Sequence, residues 1–211
     1  MTDNSRAVFR IVGGHPALDL VNTVEPRVPG GVGGRDHLSG PSELLAWSRR
    51  IELLTGDEAD AVSAAWLGRP GLGESALRAT VEIRETTYSL LTARLTDSQP
   101  LQGSDFEQLM LRWAAAAARS ALVPSGDAVA ELVVGTAPAR MIPDRLVAAA
   151  VELLRTVELR QLRACPIDEG GCGWLFLDRS RNGSRRWCSM EDCGTRVKIR
   201  KLSERRRATT V

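Results

Sequence analysis

Histidine is almost missing from these 211 residues, which contain only His15 and His37. Neither lies in an HExxH motif or beside a Ser or Cys nucleophile, so the signatures of zinc proteases and of Ser- or Cys-His catalysis are absent. No catalytic constellation is visible, and an enzyme is not expected. No run approaches the roughly 18 uninterrupted apolar residues of a transmembrane helix, so no membrane role is expected. The opening segment MTDNSRAVFR is polar and lacks the apolar core of a signal peptide. A cytoplasmic location follows, where thiols stay reduced. The glycine run from Gly30 to Gly34 does not complete G-x-G-x-x-G, and no Walker Lys-Ser/Thr accompanies it, which argues against a nucleotide cradle. Lysine occurs only at Lys198 and Lys201. Cysteine occurs only at Cys165, Cys172, Cys188 and Cys193.

Those four cysteines organise what is there. Their spacing is C-x6-C, then fifteen residues, then C-x4-C. Two disulfides, four unrelated thiols or a rubredoxin-like iron would each use such a set. Two short pairs bracketing a hairpin-length spacer favour one tetrahedral zinc instead. Catalytic zinc keeps an open ligand position, usually with His or carboxylate in the set. Four thiolates leave none, so a single structural Zn²⁺ is expected.

Charge is distributed unevenly. Residues 1–154 carry 14 Arg/Lys against 19 Asp/Glu, and residues 155–211 carry 14 against 7. A net of −5 is thus followed by a net of +7. A basic quarter on an acidic body is the footprint of nucleic-acid contact. Solubility or an acidic protein partner would account for the same charge.

The body reads as mostly helical. Residues 7–12 suggest a strand and His15–Val24 a short helix, with Asp19 and Asn22 placed to hydrogen-bond local backbone. A ligand role is the alternative for His15, Asp19 and Asn22. Residues 25–41 are loop by composition. Helices are expected from Ser42 as N-cap, from Asp57 after Thr55-Gly56 ends its predecessor, over 74–96, and from Ser104 with Glu107 as a capping box. The stripe Phe106, Leu109, Met110, Trp113 and Ala117 reads as core. Two short strands around 121–134 precede a last helix, 144–163, running straight into Cys165.

From Cys165 to Cys172 the glycines allow a metal knuckle. Trp174–Asp178 alternates like a strand, with Trp174 and Phe176 on one face and Leu175 and Leu177 on the other. Asn182-Gly183 predicts a hairpin turn, with Ser184–Trp187 returning as the partner strand. Ser189 then caps a helix whose first turn supplies Cys193. Met190, Cys193 and Val197 share the face toward the metal. Arg196, Lys198, Arg200 and Lys201 lie on the other faces, and Arg181, Arg185 and Arg186 approach from the hairpin. These seven are the candidate nucleic-acid contacts.

The fold class is therefore mainly α, or α+β with short strands. A helical body over 1–160 precedes a small treble-clef-like four-cysteine finger of knuckle, β-hairpin and helix over 161–207, and a tail over 208–211.

The residues Cys172-Gly-Trp-Leu-Phe-Leu-Asp178, Ser180-Arg-Asn182, Arg185-Arg-Trp-Cys-Ser-Met190 and Cys193-Gly194-x-Arg196 resemble the CGNR zinc finger. Ala17-Leu-Asp-Leu-Val-Asn-Thr23 resembles the start of the ABATE domain that precedes it. The resemblance implies a bacterial stress-related transcriptional regulator with the finger as its DNA-binding part. Thr195 stands where the signature has Asn, and the first Cys pair is spaced more widely, through Asp168–Gly171. DNA is the expected partner, with an acidic protein or RNA as the alternative. The body would sense an unidentified small-molecule effector or form a homodimer, since one small finger offers little contact area.

Overall fold

The computed structural model describes residues 10–28, 34–96 and 100–209. Its hub is a helix of six residues, α1 (Pro16–Val21). His15 caps it, Nδ1 accepting from the Ala17 N–H at 3.2 Å, and Pro16 supplies a preset φ in the first turn. Every residue from Ala17 to Val21 is buried, because α4 (Leu72–Thr96) and α6 (Met141–Thr156) pack against α1. Leu18, Leu20, Ile83, Leu90, Ile142 and Leu146 form the middle of this core.

The other helices surround that hub. α2 (Pro41–Arg50) has Gly40 as its N-cap, two residues earlier than the expected Ser42, because Pro41 is itself a good first helical residue. α3 (Gly56–Gly68) is opened by Thr55, which closes a reciprocal capping box with Glu58. Thr55 thus starts a helix and does not end one. α5 (Gly103–Ala117) has Gln102 at its N-cap with no side-chain cap, so the Ser104–Glu107 box does not form. Its expected core stripe is only half realised. Leu109 is buried, but Phe106 and Met110 are exposed, since α5 packs on α6 and α4 along one narrow edge.

Among the described residues, three two-stranded antiparallel ladders complete the fold. β1 (Val24–Glu25) and β2 (Arg35–Asp36) pair within the segment that composition marks as loop. Gly30–Gly33 and most of the expected strand 7–12 lie outside the described residues, and Arg10–Val12 carry no strand. β3 (Ala121–Pro124) and β4 (Ala130–Val133) form the expected hairpin. β5 (Leu162–Ala164) pairs with β6 (Leu175–Leu177).

That last ladder changes the architecture of the finger. α6 stops at Thr156, where Val157 turns extended, seven residues short of the expected end. The chain enters the metal knuckle through strand β5 and not through helix. β6 takes β5 as its partner, so Ser184–Trp187 carries no strand. Asp178 is the reason. Its carboxylate accepts from the Ser180 and Arg185 N–H groups at 2.9 and 2.8 Å, which folds residues 178–185 into a compact loop. A turn does form inside that loop, but the Gly183 N–H donates to Ser180 O at 3.1 Å, so it is centred on Arg181-Asn182 and not on the expected Asn182-Gly183 pair, with Gly183 at φ 57.

Buried and half-buried arginines lace these elements together. Arg84 on α4 forks onto Asp36 at 2.7 and 2.9 Å and also reaches Thr23 Oγ1. Arg27 takes Glu85, Arg119 takes Asp144 and Arg145 takes Glu58. Planar forks of this kind hold a carboxylate at two points each, and of these carboxylates Asp144 is the buried one.

Candidate metal centre and its seam with the body

All four cysteines are buried and unbridged. Their sulfurs lie within 4.8 Å of one another. Cys172 and Cys188 are 3.3 Å apart, and Cys188 and Cys193 are 3.6 Å apart. Zinc–thiolate bonds of about 2.3 Å place tetrahedral sulfur edges at about 3.8 Å, so the set is sized for one zinc. A disulfide would need sulfurs about 2.05 Å apart. The backbone is shaped to the same end, since a Cβ on Gly171 would lie 2.7 Å from Cys165 Sγ. Zinc's positive charge allows four crowded thiols to be thiolates together.

Each ligand is delivered by a local rule. Cys165 directly follows β5, and its N–H donates to the Trp174 carbonyl at 2.8 Å. Cys172 closes the knuckle. Cys188 leaves the Asp178 loop. Ser189 caps the π-helical turn Met190–Gly194, accepting from the Asp192 N–H, and that turn presents Cys193. α7 (Thr195–Thr209) continues from it. Val197 is buried as expected, whereas Met190 is 65% exposed. The wider π turn rotates Met190 away from the metal and over Gly194, whose Cβ would meet its sulfur at 2.9 Å.

Strand β6 belongs to two cores at once. Trp174 and Phe176 pack with the cysteines, and Leu175 and Leu177 pack in the body with Leu162. Alternation along the strand therefore welds finger to body. Asn22 caps the weld, donating through Nδ2 to Leu175 O at 2.8 Å and accepting through Oδ1 from Leu175 N at 2.9 Å. Trp174 Nε1 donates to Val24 O at 2.8 Å, and Arg27 N donates to Cys172 O at 2.7 Å. Gly173, at φ 78, admits this approach, because a Cβ there would lie 2.0 Å from the Arg27 carbonyl.

The candidate ligand residues separate. Asp19 accepts the Val12 and Gly13 N–H groups on Oδ1 at 3.0 and 2.8 Å, and Asn22 reaches across the chain to Leu175 instead of local backbone. Both line a cavity of about 140 Å³ with Arg10, Glu25, His37 and the two indoles of Trp47 and Trp174. His15 is outside that lining and sits on an open recess with Ile11, Gly14 and Arg185, a recess that Asp19 also lines. Burial pushes the Asp19 carboxyl up to about 6. Burial lowers both histidines, with Glu152 opposing it at His15 and Arg35 adding to it at His37.

The candidate basic residues separate as well. Arg185 faces inward. Its guanidinium lies 4.4 Å over the Phe176 ring and donates to the carbonyls of Val12, Trp187 and Cys188. Arg196 donates to Cys193 Sγ at 3.3 Å and lies 3.8 Å from Glu25. Glu169 of the knuckle gathers Arg186 and, at 3.9 Å, Lys201, while its backbone carbonyl accepts from Arg200. Arg181 and Lys198 are exposed. Sequence reasoning missed Arg10, which bridges Glu25 at 2.6 Å and Asp192 at 2.9 Å and lies 4.4 Å over Trp174. Burial opposes its charge, but the two carboxylates raise its pKa nevertheless.

A helical body fused to a closed four-cysteine centre defines a zinc-finger protein. The CGNR zinc finger matches residues 161–206. The ABATE family, described as "Putative stress-induced transcription regulator", matches residues 14–157, and the chain belongs to that family. A search of curated proteins found no match. No helix among the described residues is long and apolar enough to cross a membrane.

Proposed function

We propose that the chain is a non-catalytic, zinc-dependent DNA-binding regulator of the cytoplasm, with the finger and α7 on the DNA and the body as sensor or dimerisation domain. One observation carries this reading. From Lys198 to Arg207 every described side chain of α7 is exposed, and the helix presents Lys198, Arg200, Lys201 and Arg207 with only Val197 turned inward. A basic helix held at one end by a metal centre is a stiff rod of charge, suited to phosphates. Thr195 supports the reading despite replacing the signature Asn. Its Oγ1 donates to Met190 O at 2.9 Å and orders the helix start.

The test is a salt titration of binding to duplex DNA, single-stranded RNA and a non-nucleic polyanion. Duplex DNA is expected to bind tightest. Replacing Lys198 and Lys201 by Ala should lower the slope of log K against log salt by roughly 0.9 per lost phosphate contact. Equal binding of all three polyanions would sink the DNA reading and favour an acidic protein partner.

A further inference from the structure

The cavity of about 140 Å³ between body and finger has unused chemistry. Asn22 and Thr23 reach it, but their polar atoms are spent on Leu175, Leu20 and Arg84. Arg10 is spent too, held between Glu25 and Asp192 over the Trp174 ring. Asp19 is different. It is 5% exposed, and only Oδ1 has hydrogen-bond partners among the described residues. No cation side chain bonds it among the described residues, and the burial that raises its pKa is opposed only by the Gly13 and Val12 N–H groups. Glu25 adds a second carboxylate, whose Oε1 meets Arg10 at 2.6 Å and lies 3.8 Å from Arg196. The cavity is therefore lined by two carboxylates, His37 and two indole walls. What it lacks is a positive charge on the Asp19 side. Its volume resembles that of a cavity of about 150 Å³ that accepts benzene.

We propose that this cavity binds a compact organic cation, an amine or amidine no larger than a benzene ring, through N–H donation to Asp19 and Glu25 between Trp47 and Trp174. Buried charges are stable when paired and hydrogen-bonded, which a cation with several N–H donors achieves at Asp19. The same site is connected to the zinc centre. Asp19 pins the segment Arg10–Gly13 from the body side. From the finger side Arg185 donates to Val12 O, and Leu177 N donates to Gly13 O. Arg185 also donates to the carbonyl of the zinc ligand Cys188. Redirecting Asp19 toward a ligand thus loosens a strap on which the finger rests. That coupling makes the cavity an effector site, and this part rests on the reading of the chain as a DNA-binding regulator.

The experiment uses the zinc-loaded full chain and three probes of one shape, acetamidinium, acetamide and acetate, with calorimetry in the absence of DNA. Acetamidinium is expected to bind at least tenfold more tightly than either of the others. Asp19→Asn keeps an acceptor for the Val12 and Gly13 N–H groups and removes the charge, so it should fold, retain zinc and lose at least tenfold in acetamidinium affinity. Preference for acetate, equal affinity for the three probes, no binding of acetamidinium, or an unchanged affinity in Asp19→Asn each overturns the site. A second arm measures DNA affinity with saturating acetamidinium, where a change of threefold or more is expected in the wild type and none in Asp19→Asn. A cation that binds without moving DNA affinity overturns the coupling. Failure of DNA binding itself sinks the regulator reading and leaves the first arm intact.

Discussion

Asn22 pairs with Leu175 as a short strand would, giving one hydrogen bond to the backbone carbonyl and taking one from the N–H, across 153 residues of sequence. Both groups of Leu175 are buried, and the side chain below them sits in the body core. Asn22→Ala leaves the donor and acceptor without partners. A loss of about 2–3 kcal/mol is expected by urea denaturation of the zinc-loaded protein. A loss below about 0.5 kcal/mol would show that water replaces the amide.

Because Leu162, Leu175 and Leu177 lie in the body core, zinc should stabilise the body as well as the finger. Metal binding free energy is folding free energy when the site needs the fold to exist. Chelation is expected to lower the midpoint of the helical circular-dichroism transition, with loss of finger and body in one step. A body transition that ignores the chelator would contradict the shared strand.

Arg185 should behave as a core residue. Arg185→Ala removes the ring contact with Phe176 and leaves three carbonyls short of a donor, so about 2–3 kcal/mol of stability and part of the zinc retention should go with it. Lys in its place lacks the planar fork and should not restore either. Arg181→Ala and Lys198→Ala, at exposed positions, should change stability by no more than about 0.5 kcal/mol while weakening DNA binding.

Asp19 should make stability depend on pH in an unusual direction. Burial disfavours the charge and raises its folded pKa to about 6, above the 3.8 of an unperturbed aspartate. Below pH 4 both states hold the proton and nothing is lost. As pH rises from 4 to 6 the unfolded chain ionises first, so stability falls, by up to about 3 kcal/mol above pH 6. Asp19→Asn, which cannot ionise, should gain on the wild type across that window and hold a constant advantage above it. Arg10, Glu25 and His37 line the same cavity and are present in both proteins, so the difference in urea-unfolding free energy isolates Asp19.

The metal site was legible because thiolate ligation depends on residue type and spacing, and four cysteines in 29 residues leave few arrangements. The long helices were legible from their apolar period. The alternation of Trp174 to Leu177 was legible too, although not that its two faces serve different cores. Strand pairing was not, because Leu162 and Arg163 read as the end of the helix 144–163, and Asp178 keeps Ser184–Trp187 from pairing by capturing backbone N–H groups of its own loop. The end of α6 was misplaced for a related reason, since Leu162 is needed in the core as strand.

The seven basic candidates were sorted only by tertiary structure. Charge along a sequence does not say whether an arginine faces solvent, and Arg185 finds an aromatic ring and three carbonyls close by while Lys198 finds none. The same holds for Asp19, where residue type permits a cap, a ligand or an ion pair. Local chemistry, which depends on neighbours in the chain, was determined by the sequence: four thiols for zinc, a capped turn bearing Cys193, and a basic helix after it. What lies against what was decided by packing. The seam of Asn22, Leu175 and Arg10, and the cavity it encloses, exist only because groups from both ends of the chain must satisfy one another's buried polar atoms.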